Sequence, residues 1–279
     1  MTAYRYEQKG KKLAYLTSLY EGFRNRSLFN SIGTYCMFIG YPRSGHSLLG
    51  SLLDAHPNAV ISHELDALGF LESGFSKNQL FSLILRNDKN FTQNGREWTD
   101  YKYVVPNQYQ GSFKELCVIG DKKGRVTTER LARNPSLLEK LKSTLKTRVK
   151  VIHVLRNPYD NISTIYRRCS RSSKSLSEAI EVYFFLCQGV ADIKEMVDET
   201  EIIDIRHETF VEDPQMGMKQ LIEFLDIDYT SEYLRDCASI VKNSPHKSRL
   251  DVDWTNDLIR LVELKAKNFE FLEGYQFDS

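Results

Sequence analysis

The sequence predicts a three-layer α/β/α fold with a central parallel sheet and a P-loop-like phosphate loop. Three observations predict it. Short apolar runs alternate with helical patterns, the first run ends in a loop bounded by glycines, and charged residues follow the next runs directly. Strands buried on both faces read as unbroken apolar runs. Strand, helix and strand in alternation imply parallel pairing through right-handed crossovers.

The strands are expected at residues 35–39 (YCMFI), 59–62 (AVIS), 116–119 (LCVI), 150–155 (KVIHVL) and 201–205 (EIIDI). A helix is expected over 47–55, where Leu48, Leu49, Leu52 and Leu53 share a face and His56-Pro57 stops the chain. A second helix covers 160–166. The longest, 175–199, has Ser175 as N-cap with Glu178 three residues on, the capping-box spacing. Residues 65–115 hold nine aromatic side chains, from Phe70 to Phe113, among Gly, Asn and Gln. That is too long for a plain connection and predicts an inserted subdomain in an otherwise single domain spanning 1–279. Residues 166–175 (YRRCSRSSKS) read as a mobile surface loop.

Charge narrows the function classes. Of 279 residues, 38 are Lys or Arg and 37 Asp or Glu, a net charge of +1. The chain lacks the positive field that sequence-independent nucleic-acid binders need, so no nucleic-acid partner is expected. The longest apolar run, 182–187 (VYFFLC), falls far short of the roughly 20 residues of a bilayer crossing. The N-terminal segment lacks the apolar core of a secretion signal. Cys36, Cys117, Cys169, Cys187 and Cys237 are scattered, with no CxxC and no His at metal-ligand spacing. They read as reduced thiols in a cytoplasmic protein without a metal site.

In an open parallel sheet, ligands bind beyond the carboxyl ends of the strands. The first run is followed by Gly40-Tyr41-Pro42-Arg43-Ser44-Gly45-His46-Ser47, the spacing of GxxxxGK[ST] with His46 in place of Lys. Such a loop converges backbone N–H groups on an anion at a helix N-terminus. The absent lysine would have reached the β- and γ-phosphates of a nucleoside triphosphate, so His46 argues against ATP or GTP hydrolysis. His63 and Glu64 follow the second run; neighbouring side chains face opposite ways, so one of the two points into the site. Asp121, Lys122, Lys123 and Gly124 follow the third. Arg156 follows the fourth, and Thr164, eight residues later, can join it on one anion across a strand-to-helix turn. Arg43, Glu64, Lys122 and Arg156 thus place one carboxylate and several cations at one sheet edge, the composition of an anion-transfer site.

Three segments carry a family resemblance. YPRSGHSLLGSLLDAHPN (41–58), VIHVLRNPYDNISTIYRR (151–168) and IGDKKG (119–124) resemble the 5′-phosphosulfate loop, the 3′-phosphate motif and the GDK turn of the sulfotransferases that use 3′-phosphoadenosine 5′-phosphosulfate (PAPS). RHETFVEDP (206–214) and SPHKSRLDVDW (244–254) are similar to the family's YEDL-x-x-DP stretch and C-terminal cofactor-covering loop. The resemblance implies that Arg43, Ser44, Gly45, His46 and Ser47 hold the 5′-phosphosulfate, and that Arg156 and Thr164 hold the 3′-phosphate. Lys247 and Arg249 of the C-terminal loop are the next candidates for that phosphate. It implies further that Glu64 lies where the tyrosylprotein branch has its general base and Lys122 where that branch has a lysine near the sulfonate. His63, or a residue of the 65–115 insert, competes with Glu64, since cytosolic members use a His base. The sequence departs from the family pattern at His46, where a Thr is usual, and at Thr164, where a Ser is usual. The implied activity is sulfuryl transfer from PAPS to a hydroxyl or amine of a small-molecule acceptor, with the insert on the acceptor side and no metal. Two other readings remain beside it: a small-molecule kinase using ATP, for which residue 46 should be Lys, and a non-catalytic nucleotide-binding module, which has no use for Glu64 and Lys122 at strand ends.

Overall fold

A computed structural model describes residues 2–168, 175–242 and 244–278; Cys169 and most of the 166–175 segment lie outside them. The chain runs α1 (Thr2–Arg24), β1 (Thr34–Gly40), α2 (His46–Asp54), β2 (Ala59–His63), α3 (Ala67–Glu72) and α4 (Lys77–Gln93). A hairpin of β3 (Glu97–Trp98) and β4 (Tyr101–Lys102) precedes β5 (Val118–Lys122), α5 (Gly124–Arg133), α6 (Ser136–Leu145) and β6 (Arg148–Leu155). Then come α7 (Pro158–Arg168), α8 (Leu176–Met196), β7 (Ile202–Arg206), α9 (His207–Glu212), α10 (Pro214–Phe224), α11 (Ser231–Ser239) and α12 (Asn256–Ala266).

Five strands form one parallel sheet in the order β2-β5-β1-β6-β7. All seven residues of the central strand β1 are buried. Successive side chains leave a strand on opposite faces, and the core divides accordingly. Tyr35, Met37, Ile39, Val60, Ile119 and Val151 join the side chains of α4, α6, α7 and α8. Cys36, Phe38, Ile61, Val118, Ile152 and Val154 join those of α2, α10 and α11 on the other side. From β1 the chain goes out to β2, returns through β5, then crosses to the far side of β1 for β6 and β7. The carboxyl ends of β5, β1 and β6 meet where the winding reverses, the usual place for a ligand in such a sheet.

The third strand starts two residues later than its apolar run suggests and runs on through Asp121 and Lys122. Both polar side chains are held in buried hydrogen bonds, so apolarity alone ends the strand too early. Gly120 is required within it: a Cβ there would lie 2.2 Å from the Cys36 carbonyl of β1. Ser175 caps α8 by accepting from the Glu178 N–H, and the helix ends at Met196.

Residues 65–115 build α3, α4 and the hairpin. Leu68, Leu71, Leu80, Phe81 and Ile84 bury into the same core as Tyr35 and Val151, so this segment shares the main core. The hairpin turns through Thr99 and Asp100 at φ 49° and 67°, the left-handed conformations that two-residue turns favour. Arg96, 1% exposed, ties it down. Its guanidinium meets Asp54 of α2 at 2.7 Å and Asp88 of α4 at 2.9 Å. It also lies over the Phe91 ring, 4.8 Å from the centroid.

Candidate active site

The loop between β1 and α2 takes its shape from positive φ at Gly40 (126°), Arg43 (72°) and Gly45 (106°). His46, the first residue of α2, turns its ring beneath the loop. Nε2 donates to the Ile39 carbonyl at 2.8 Å, and Ser44 Oγ lies 3.0 Å from Nδ1 and from the Tyr41 carbonyl. Burial, helped by the charge of Lys122 and opposed by the Ile39 hydrogen bond, pushes its imidazole down to about 4, so it is neutral at pH 7. The ring fills a slot that a Cβ at Gly124 would enter to 2.9 Å. His46 therefore props the loop from inside, and only its main chain contributes to the N-terminus of α2. Tyr41 is pinned in turn: its hydroxyl is 3.2 Å from Nε2 of buried His153, whose Nδ1 meets Asp204 at 2.9 Å.

The cation absent from position 46 arrives from the neighbouring strand. Lys122, 2% exposed, ends β5 with Nζ 2.9 Å from Ser47 Oγ and 2.5 Å from Glu64 Oε1. Its stem crosses α2 at Gly50, where a Cβ would lie 2.9 Å from Lys122 Cγ. Burial pulls its ammonium below the ordinary lysine value, with Glu64 opposing. Glu64 sits in a turn at φ 60°. Asp121 shapes that turn by accepting from the Leu65 and Ala67 N–H groups at 3.1 and 2.9 Å. Burial would raise the Glu64 carboxyl, but Lys122 and Lys123, the latter at 2.8 Å, hold it at about 2.

His63 faces elsewhere. Its ring stacks on Phe91 at 4.2 Å with Trp98 edge-on at 5.1 Å, and Nε2 is buried without a partner. Burial, then the charge of Lys122, pushes it down to about 3. Of the two neighbours, Glu64 is the one joined to the loop through Lys122 and Ser47.

Arg156 and Thr164 come together at the start of α7, with Nη1 3.4 Å from Oγ1. The guanidinium also donates to the carbonyls of Arg43 (3.2 Å) and His246 (2.5 Å) and to Ser248 Oγ (3.1 Å). Every one of these acceptors is uncharged, Nε has none, and among the described residues Arg156 forms no ion pair although it is 7% exposed. A buried cation whose direct acceptors are all neutral, offset only by the charges of Asp160 and Glu208 beyond ion-pair contact, has its hydrogen-bonding face open to an anion. Arg249 is differently employed, its guanidinium 2.6 Å from Asp160 and buried with it, while Lys247 is exposed.

Sequence reasoning missed two groups here. Ser248 stands 3.0 Å from Thr164 Oγ1, between the two cations that charge alone had singled out. The Tyr103 hydroxyl is raised by burial and drawn back by the charge of Arg43, which brings the insert to the loop. Neither carries a charge or a motif of its own.

A family model described as the sulfotransferase family matches residues 37–231, which include the loop, Glu64, Lys122 and Arg156. The chain belongs to the sulfotransferase family. Solved sulfotransferases share its fold at low identity. The sulfotransferase STF1 of Mycobacterium tuberculosis H37Rv is 12% identical, with 96% of this chain and 85% of that one aligned at a TM-score of 0.55. The sulfotransferase domain from the curacin biosynthetic pathway is 16% identical, covering 86% and 98% at 0.53. The sulfotransferase from Alicyclobacillus acidocaldarius is 15% identical, covering 85% and 93% at 0.50. No curated protein matches the chain by sequence. Among the described residues of this sulfotransferase, no helix is long and apolar enough to cross a membrane.

Proposed function

We infer that this sulfotransferase moves the sulfuryl group of PAPS to a hydroxyl or amine of a small-molecule acceptor. The observation that carries the reading is the chain Glu64–Lys122–Ser47, centred on the buried Lys122, which joins a carboxylate, an ammonium and the loop hydroxyl across three elements. Bound across the sheet edge, PAPS would supply the sulfuryl group and depart as adenosine 3′,5′-bisphosphate. The residues present fit such a donor: the loop from Arg43 to Ser47 for the 5′ side, and Arg156, with its unpartnered Nε, beside Thr164 and Ser248 for the 3′-phosphate.

Glu64 Oε takes the acceptor proton as the new bond to sulfur forms. Arg43 and Lys122 stabilise the negative charge that gathers on the transferred group and the departing oxygen. The two roles are linked by charge. At rest two lysines hold Glu64 at about 2. An anion that shares the charge of Lys122 weakens that hold and makes the carboxylate a stronger base when a proton must be accepted. The residues of the insert that reach the site, Tyr103 above all, form the acceptor side.

Donor choice is tested by thermal melting. Adenosine 3′,5′-bisphosphate at about 100 times its Kd should raise Tm by roughly 5 to 10 °C, while ATP at the same concentration leaves it nearly unchanged. Equal stabilisation by ATP would replace this reading with a kinase. Titration calorimetry of Arg156→Ala should show donor affinity lowered about 10- to 150-fold, the loss of a charge-assisted contact. Undiminished affinity in the folded variant would place the 3′-phosphate elsewhere.

A further inference from the structure

We propose that the outer face of α1 docks this protein on an anionic lipid surface, with the helix lying flat in the headgroup region. The helix is built with its apolar side outward. Its inner face, against α4, is made of small residues four apart, Ala14, Ser18 and Gly22, with Ser18 fully buried. A Cβ at Gly22 would lie 2.9 Å from the Asn78 backbone, so the two helices touch almost main chain to main chain. Gln79 of α4 donates to the Tyr15 carbonyl at 3.1 Å, and Arg86 to Thr17 Oγ1 at 3.0 Å.

The large side chains point the other way. Leu13, Leu16, Leu19, Tyr20 and Phe23 are 66, 65, 50, 66 and 68% exposed. They recur at intervals of three and four residues, which places them on one stripe of about 120°. A contiguous apolar stripe of this kind marks an interaction surface.

Charge selects the occupant. Residues 1–26 hold six basic residues (Arg5, Lys9, Lys11, Lys12, Arg24 and Arg26) and two acidic ones, four net positive charges on a chain whose total is +1. The remainder of the protein is net negative. Lys12 is exposed at the N-terminal end of the stripe, Arg24 at its edge and Arg26 just past the helix, where the Arg26 guanidinium lies 4.4 Å over the Phe23 ring. Glu21 is turned toward Arg86, 3.4 Å away. On α4, Lys89 is exposed while Asp88 is buried against Arg96. An apolar stripe of Leu, Tyr and Phe flanked by Lys and Arg is the composition of helices that lie in the interface of anionic membranes. A second copy of the chain is a poorer match, since a two-fold contact sets each patch against itself and would bring the same cations together. The apolar stripe, nearly three helical turns long, would lie along the surface; nothing in this arrangement requires a crossing.

The test uses the full chain with vesicles of phosphatidylcholine alone and of phosphatidylcholine containing phosphatidylglycerol. Sedimentation should show binding to the anionic vesicles at least tenfold stronger than to the neutral ones, weakening as salt is raised. Leu16→Asp with Phe23→Asp should lower that binding at least tenfold with Tm unchanged, because both side chains are exposed. Lys12→Glu with Arg24→Glu should lower it as well and flatten the salt dependence. Failure to bind anionic vesicles overturns the proposal, as does binding that both variants leave intact. Sedimentation equilibrium covers the rival occupant: a dimer that Leu16→Asp with Phe23→Asp dissociates, without vesicle binding, would assign the stripe to a second copy.

Discussion

Glu64→Gln is expected to lower turnover about 100-fold or more while donor affinity stays close to that of the native enzyme. The amide keeps the length and hydrogen-bonding reach of the side chain but cannot accept the acceptor's proton. Lys122 keeps an oxygen to bond within the turn that Asp121 shapes, so the substitution removes a charge and leaves the architecture. The loop and Arg156 are untouched, and for that reason donor binding should survive. Single-turnover kinetics with saturating donor, alongside a direct binding measurement, separates the two effects. Near-native turnover in Glu64→Gln, together with inactivity of His63→Ala, would transfer the proton-accepting role to His63.

Arg96→Met is expected to cost about 3 to 5 kcal/mol of stability, because it leaves Asp54 and Asp88 buried without their cation. Both carboxylates are within 3% of full burial. For a chain of this size the loss corresponds to a fall in Tm on the order of 10 °C. It should also depend on pH in a definite sense. Burial and the neighbouring Asp88 already raise the Asp54 carboxyl above its ordinary value despite Arg96. Removing the guanidinium raises it further, so the folded variant binds protons that the unfolded chain releases as pH rises above the ordinary carboxylate range. The deficit is therefore largest at neutral pH and shrinks on acidification. Denaturant melts of both proteins at pH 7 and pH 5 measure it; a deficit that grows toward pH 5 would contradict the charge argument. Loss of Arg96 should also loosen the hairpin beside His63, since Tyr103 N–H bonds the Arg96 carbonyl at 3.0 Å.

The sheet was legible because its strands are buried on both faces, and an unbroken apolar run such as YCMFI has few other uses. The strand-end residues were legible because Gly, Arg, Lys and Glu directly after such runs are out of keeping with a core. What escaped depended on long-range partners. Asp121 and Lys122 extend β5 because Ser62, Leu65 and Ser47 satisfy them, and none of these is near in sequence. Arg249 looked like a spare cation until Asp160, 89 residues away in the chain, was seen to hold it. Ser248 lies in the quoted segment 244–254, but nothing there distinguishes its hydroxyl from the charged neighbours Lys247 and Arg249.

The ring of His46, folded beneath its own loop, has a consequence for how this site can change. In a phosphate loop that carries lysine, one element supplies both the cradle and the cation. Here the β1–α2 turn supplies the cradle and Arg43, while the buried ammonium and the carboxylate belong to the ends of β5 and β2. The two are separate parts that can be exchanged separately. The reverse conversion is closed: a lysine at 46 would forfeit the bond to the Ile39 carbonyl and vacate the slot at Gly40 and Gly124, so the loop would lose its support in exchange for a charge that Lys122 already supplies.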